Sequence, residues 1–356
     1  MNAPFASSFA LTAEYVREVN LRQPDEAARI EGFVAEMGGT LFHRPAWLRA
    51  VERGTGQQAL GLVAEKSGRI TGWLPLNDVH SPLFGRALVS SGFAVGGGAL
   101  APRPATARSL AVAAQELAVR RSCTSIELRG GTLPHGWKVR SDSHCGFEMP
   151  LAADDEAQLT AIPRKQRAEV RKSLDGDLTV EVGTGEADRT AHYAVYAASV
   201  RNLGTPVFPR LLFEATLDAL DGDILTVRHH GTPVASVLSF YHDGAVMPYW
   251  GGGTQAARAL RANERMYFEL MLHARRRGCK TFDFGRSKTG SGPYSYKKNW
   301  GFKPEPLSYA GWTAPGAAAR DADPTSARHA ARIALWKRLP LPLANALGPH
   351  IARGLG

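Results

Sequence analysis

The sequence predicts an α/β protein built from two similar domains in tandem, followed by a basic tail. Three pairs of segments that recur in the same order predict it. Leu62-Val63-Ala64, a turn at Gly68 and Gly72-Trp73-Leu74-Pro75-Leu76 match Leu225-Thr226-Val227, a turn at Gly231 and Ala235-Ser236-Val237-Leu238-Ser239. Gly96-Gly97-Gly98 matches Gly251-Gly252-Gly253. Arg120 to Leu128 matches Arg276 to Phe284, each run passing through Cys-x-x-x and ending in an acid plus an apolar residue. Chance accounts for one such pair. It does not account for three collinear pairs at nearly equal spacing, and self-similarity of this kind marks a repeated fold unit.

Each unit reads as hairpin, glycine run, helix and short strand. The paired apolar runs around a Gly turn predict a β-hairpin. Before each Cys lies a helical pattern of apolar residues, at Leu110, Ala114 and Leu117 and at Met266, Leu270 and Leu272. That pattern is the sign of one buried helical face. Residues 15–150 and 151–312 therefore form the two domains, with a junction at Pro150 and the acidic run that follows it. Residues 313–356 form a linker rich in Ala, Pro, Gly and Asp, then a tail. A basic helix with Trp336 is expected from about Thr325 to Leu339, broken by the prolines at 340 and 342. Such a helix either lies on an anionic membrane face or packs back on the body.

The chain has 356 residues, 44% hydrophobic and 21% charged, a globular composition. Its net charge of +10 suits an acidic partner such as a nucleotide-linked substrate, tRNA or a membrane surface. Three cysteines without C-x-x-C spacing point to a reducing compartment. The first residues lack a basic segment followed by an apolar core, and no run of about 18 apolar residues occurs. The expected location is the cytoplasm, with peripheral contact at the inner membrane face through the tail.

The second unit holds the richer chemistry. Tyr249 and Trp250 precede Gly251, Gly252 and Gly253, which lead towards a helix from about Asn263. Glycines let a backbone approach a ligand, and amide groups ahead of a helix suit a phosphate; equally, a glycine run forms a plain turn. After the strand at Asp283 come Arg286, Ser287 and Lys288, then Tyr296, Lys297, Asn299 and Trp300. Cations, hydroxyls and rings just past a strand's C-terminal end are placed where α/β folds put their sites. Arg164, Arg167 and Arg171 share one helical face, either a phosphate clamp or a solvated surface. Asp283-Phe284-Gly285 lacks the other kinase motifs, and Ser291 stands where a P-loop needs Lys. No metal-ligand cluster and no Ser-His-Asp order is present.

The Arg-rich helix, the Tyr-Trp-Gly-Gly-Gly run and the stretch from Asp283 to Phe302 resemble FemAB-type proteins. More narrowly they resemble the FemAB-related subgroup associated with PEP-CTERM/exosortase and exopolysaccharide loci, as does the tail from Trp336. The resemblance covers nearly the whole chain, most closely 161–312. It implies two tandem GNAT-like (acyl-CoA N-acyltransferase) domains, the first degenerate. It implies an acyl- or aminoacyltransferase with acyl-CoA or aminoacyl-tRNA as donor and no permanently bound cofactor. The acceptor would be an amine of a cell-envelope, peptidoglycan or exopolysaccharide precursor. Lys297 matches the family's lysine near the transferred group. Direct attack in a ternary complex is then expected, with Lys297 on the oxyanion, Asp283 as base or orienter and Tyr296 beside them. Tyr249 and Trp250 would wall the pocket and Arg286 and Lys288 would hold anions. A non-catalytic pair of such domains, binding a nucleotide-linked substrate or tRNA, is the alternative from another class.

Overall fold

The computed structural model describes residues 13–318 and 330–356. In chain order the elements of the first half are β1 (Tyr15–Glu18), α1 (Pro24–Glu36), α2 (Pro45–Thr55), β2 (Gln58–Lys66), β3 (Arg69–Ser81), β4 (Gly85–Val89), α3 (Pro104–Arg120), β5 (Ser125–Arg129) and β6 (Lys138–Arg140). Then come β7 (His144–Pro150), α4 (Asp155–Ala161), α5 (Arg164–Leu174), β8 (Leu178–Gly183), α6 (Glu186–Leu203), α7 (Arg210–Ala219), β9 (Gly222–His229) and β10 (Thr232–His242). The rest is β11 (Ala245–Gly253), α8 (Gln255–Leu260), α9 (Ala262–Arg276), β12 (Thr281–Asp283), β13 (Ser287–Lys288), α10 (Gly292–Asn299), β14 (Lys303–Pro306), β15 (Tyr309–Thr313), α11 (Ala330–Arg338) and α12 (Leu341–Ala352).

Two units result, but the boundaries differ from the expected 150/151 and 312/313. Strand β7 pairs with β12, β13 and β14, so the chain from Ser141 belongs to the second unit. Strand β15 pairs with β5 and β6, so residues 308–318 return to the first, while the tail helices belong to the second. Local composition at Pro150 marks a loop. Which sheet each flanking strand joins is decided by long-range hydrogen bonding, and no composition shift records that.

The first unit is a seven-stranded sheet in the order β1-β2-β3-β4-β5-β15-β6. The predicted hairpin is β2 and β3, and the predicted helix is α3. Leu60, Leu62, Leu74 and Leu76 pack against Leu110, Ala114 and Leu117, as the two periodicities require. Strands β4 and β5 run parallel over Ala87–Val89 and Ser125–Glu127. The chain then bulges out over 90–98 and returns to parallel contact where Ala99 meets Gly131. The bulge is anchored throughout. Ser91 Oγ donates to the Phe42 carbonyl (2.5 Å), Trp47 Nε1 to Gly92 O (3.1 Å) and Arg129 Nη1 to Ala94 O (2.9 Å). Gly96-Gly97-Gly98 is thus structural, and a Cβ on Gly98 would overlap the Gly130 carbonyl. Gly98→Ala is expected to cost about 1–3 kcal/mol by overpacking two backbones, read as a lower urea midpoint at unchanged slope.

The second unit is an eight-stranded sheet, β13-β7-β12-β11-β10-β9-β8 with β14 also on β7. Hairpin β9–β10 and helix α9 stand where the repeat places them. Met266 and Leu270 of α9 are fully buried with Phe147, Phe282, Trp300 and Phe302. Strand β11 runs parallel to β12 only at Ala245↔Thr281 and Val246↔Phe282. It continues to Gly253 beside β10 alone. At Leu238/Ser239 the register skips Tyr249, a bulge that bends β11 where it leaves β12. The two units thus differ in how these strands end. Those of the first regain contact at Ala99 and Gly131, and among the described residues those of the second do not pair again after Val246 and Phe282.

The tail holds two helices rather than one. Pro340 and Pro342 end α11, and Pro342 then falls in the first turn of α12, where a missing N–H costs nothing. The expected start at Thr325 lies outside the described residues, as does most of the linker. Both helices pack on the second unit. Arg201 Nη1 donates to the Lys337 carbonyl, and Gly348 sits against Val207. Packing on the body covers one row of α12, at Ala344, Gly348 and Ala352, and leaves the row of Leu343 and Leu347 exposed.

Candidate functional site

Gly251, Gly252 and Gly253 are not a loop. They are the last residues of β11, paired with Val237, Ser236 and Ala235. A Cβ on Gly252 would lie 2.5 Å from Ser199 Oγ of α6, and one on Gly253 2.6 Å from Ala257 of α8. These glycines let helices close over the strand end, so their small size serves packing. Among the described residues, no strand pairs with the opposite edge of β11 from Met247 onward, where it diverges from β12.

Lys297 and Asp283 meet at the end of β12. The side chain of Lys297 is buried, and Nζ donates to the carbonyls of Gly285 (3.2 Å) and Arg286 (3.1 Å). It also lies 5.2 Å from the Phe284 ring centroid and 5.3 Å from that of Phe147. Burial disfavours the charge and pulls its pKa down to about 8, against a smaller upward pull from Asp283. Asp283 accepts the Gly285 N–H at 2.8 Å. Burial raises its pKa, partly offset by that bond, with Glu148 opposite adding a further rise. Asp283 thereby holds a backbone N–H of the turn after β12.

Tyr296 stands apart from this pair. One residue along a helix turns the side chain by about 100°, so Tyr296 and Lys297 leave α10 in different directions. Tyr296 lines a cavity of about 380 Å³ at the start of α9, with Glu169, Arg258, Arg261, Asn263 and Glu264. Its hydroxyl is 3.4 Å from Glu264 Oε1. Burial, with Glu264 second, pushes its pKa well up, so it is a neutral donor at any ordinary pH. Arg261 takes a left-handed conformation (φ +55°) where α8 meets α9, and its Nε reaches Glu169 Oε2 at 2.5 Å. Lys172 and then Arg261 hold the Glu169 carboxyl below its usual range. Two arginines and two carboxylates thus face one cavity of a size that takes a small ligand or part of a larger one.

Several expected site residues are placed elsewhere. Trp250 is buried between Phe208, Phe213, Phe240 and Tyr249, and Trp300 is fully buried beside Tyr267 and Tyr296. Both are core, because a strand or short helix with one buried face turns its largest ring inward. Tyr249 is half-buried on Phe240. On α5, Arg164 and Arg171 are exposed and Arg167 caps the Thr160 carbonyl (3.1 Å). The basic face points to solvent, while Glu169 on the other side of the helix enters the cavity. Ser287 is buried, and Lys288 and Asn299 are exposed on the same stretch as half-buried Arg286.

Arg258, Arg261, Asn263 and Glu264 were not expected from the sequence. The signal that could have found them is their position. All four follow the glycine end of β11: Arg258 lies in the short α8, while Arg261, Asn263 and Glu264 open α9, so a helix N-terminus carries those three.

Residues 163–298 match the sequence profile of the acetyltransferase (GNAT) domain. No curated protein matches the chain significantly. Solved structures with a similar fold include FemX, at 14% identity and a TM-score of 0.61, over 83% of this chain and 96% of that one. A tandem GNAT protein from the clavulanic acid biosynthesis pathway aligns at 11% identity and a TM-score of 0.56, over 86% and 100%. A C-terminal DUF2156 domain from Agrobacterium fabrum, assigned to a lysylphosphatidylglycerol synthetase, aligns at 13% and 0.56, over 82% and 92%. The fold is thus that of tandem GNAT-like domains. The parted strands β11 and β12, the cavity and Lys297 all lie in the unit that carries the profile match.

Proposed function

We propose that the chain is an acyl- or aminoacyltransferase whose second unit moves an activated acyl group onto an amine. The observation that carries this reading is the parting of β11 and β12 beside Lys297 in the unit with the GNAT match. A parted pair of parallel strands leaves room for an extended donor arm between them. In the first unit the same place is filled by residues 90–98, so the transfer site is assigned to the second alone.

The neutral acceptor amine attacks the donor's ester or thioester carbonyl to give a tetrahedral oxyanion; the C–O or C–S bond then breaks as the C–N bond is kept, and the proton lost by the amine goes to the leaving oxygen or sulfur. No covalent enzyme intermediate is required. Lys297 Nζ uses two donors on Gly285 and Arg286, and an ammonium has three. The third serves the oxyanion. Arg258 and the start of α9 hold the donor's phosphate, whether it comes from acyl-CoA or aminoacyl-tRNA. Asp283 keeps the turn before Arg286 in place. The acceptor is an amine of a cell-envelope or exopolysaccharide precursor, in keeping with the resemblance to FemAB-type proteins.

The test offers acyl-CoA and aminoacyl-tRNA side by side and follows products by mass spectrometry. Product bearing an acyl group on an amine supports the reading. Donor binding without product would make the chain a binding module. Arg258→Ala is expected to raise the donor KM about 10- to 100-fold with kcat nearly kept, the loss of one charge-assisted contact. An unchanged KM takes Arg258 out of donor binding.

A further inference from the structure

We propose that α11 and α12 form a docking face for an anionic lipid bilayer, lying flat on it. The face is described by what each helix hides and shows. On α12, Ala344, Gly348 and Ala352 are buried, and Gly348 is so close to Val207 that a Cβ would lie 3.0 Å from its N. Small residues at this spacing seat the helix firmly on the second unit. The outer row of the same helix shows Leu343 and Leu347, each 45% exposed and one turn apart. On α11, Leu335 is 65% exposed. Leu203 at the end of α6 is 66% exposed, and its neighbour Gly204 touches Ile333 and Lys337, so it stands beside α11.

Charge chooses the occupant. After Asp323 the chain has five Lys and Arg and no Asp or Glu, so half of the +10 excess sits in its last 33 residues. Exposed leucines in a segment that carries cations and no acids of its own suit a surface that is apolar below and negative above. A protein partner's groove needs no such excess, and a nucleic acid gives the leucines nothing to bury in. The twelve residues of α12 extend about 18 Å, too short to cross a bilayer, and none of the described helices is long and apolar enough to do so. Binding is therefore peripheral. It goes beyond the transfer reaction and does not depend on it.

The experiment uses the full chain and sedimentation with vesicles of phosphatidylglycerol and phosphatidylcholine in equal parts, against phosphatidylcholine alone. Binding is expected to the first and not to the second. Lys337→Gln with Arg338→Gln is expected to weaken it about thirtyfold. Leu343→Ser with Leu347→Ser, solvent-facing changes checked by circular dichroism, is expected to weaken it about tenfold. Absence of binding to the anionic vesicles overturns the proposal, as does equal binding to both. Binding that the cation pair controls and the leucine pair does not is loose charge adsorption, and it overturns the docking face too.

Discussion

Lys297→Ala is expected to lower kcat about 100- to 1000-fold, the loss of one preorganised oxyanion donor worth about 2.7–4 kcal/mol. Lys66→Ala, at the exposed end of β2, serves as the control and should leave the rate unchanged. Nζ also holds the Gly285 and Arg286 carbonyls, so the variant could act by loosening the turn. A pH profile separates the two roles. With its pKa pulled down to about 8, Lys297 is an ammonium below that pH and loses its charge above it. Oxyanion binding needs the charge, so the transfer rate should fall as pH rises through about 8. Lys297→Arg, charged throughout, should abolish that fall while keeping part of the rate. Stability moves the other way. Between about 8 and the ordinary lysine value of roughly 10.4, the unfolded chain binds the proton and the folded chain does not, so stability rises with pH across that window. Equal activity of Lys297→Ala and Lys66→Ala, both folded, would remove Lys297 from the reaction.

Trp300→Ala is expected to cost about 3–5 kcal/mol of stability, because it empties a fully buried site between Tyr267, Tyr296 and the core of the second unit. The measurement is urea unfolding, with Asn299→Ala as the exposed neighbour that should cost little. A donor or acceptor KM that climbs at unchanged stability would instead put Trp300 in contact with substrate. The comparison bears on the whole stretch from Arg286 to Trp300. Its cations and rings suggest a pocket lining, yet its largest ring, Trp300 at the C-terminal cap of α10, is turned inward.

Two kinds of information separate in this chain. The repeat, the hairpins β2–β3 and β9–β10, the helices α3 and α9 and the tandem α/β class were legible in the sequence. Each depends on neighbours a few residues apart, through a period of two or 3.6 and a turn glycine. Lys297 was singled out by the family resemblance, and the structure puts its Nζ on the turn that follows Asp283.

Tertiary structure decided the rest. It split Tyr296 from Lys297 by the turn of α10, and it sent the α5 arginines outward while Glu169 went in. It also assigned β7 and β15 to the sheets they join, and it parted β11 from β12 while holding β4 near β5. These outcomes depend on which distant strand supplies a hydrogen bond and which helix covers a face. Periodicity tells a side chain that it will be buried, and only the packed partner tells it against what.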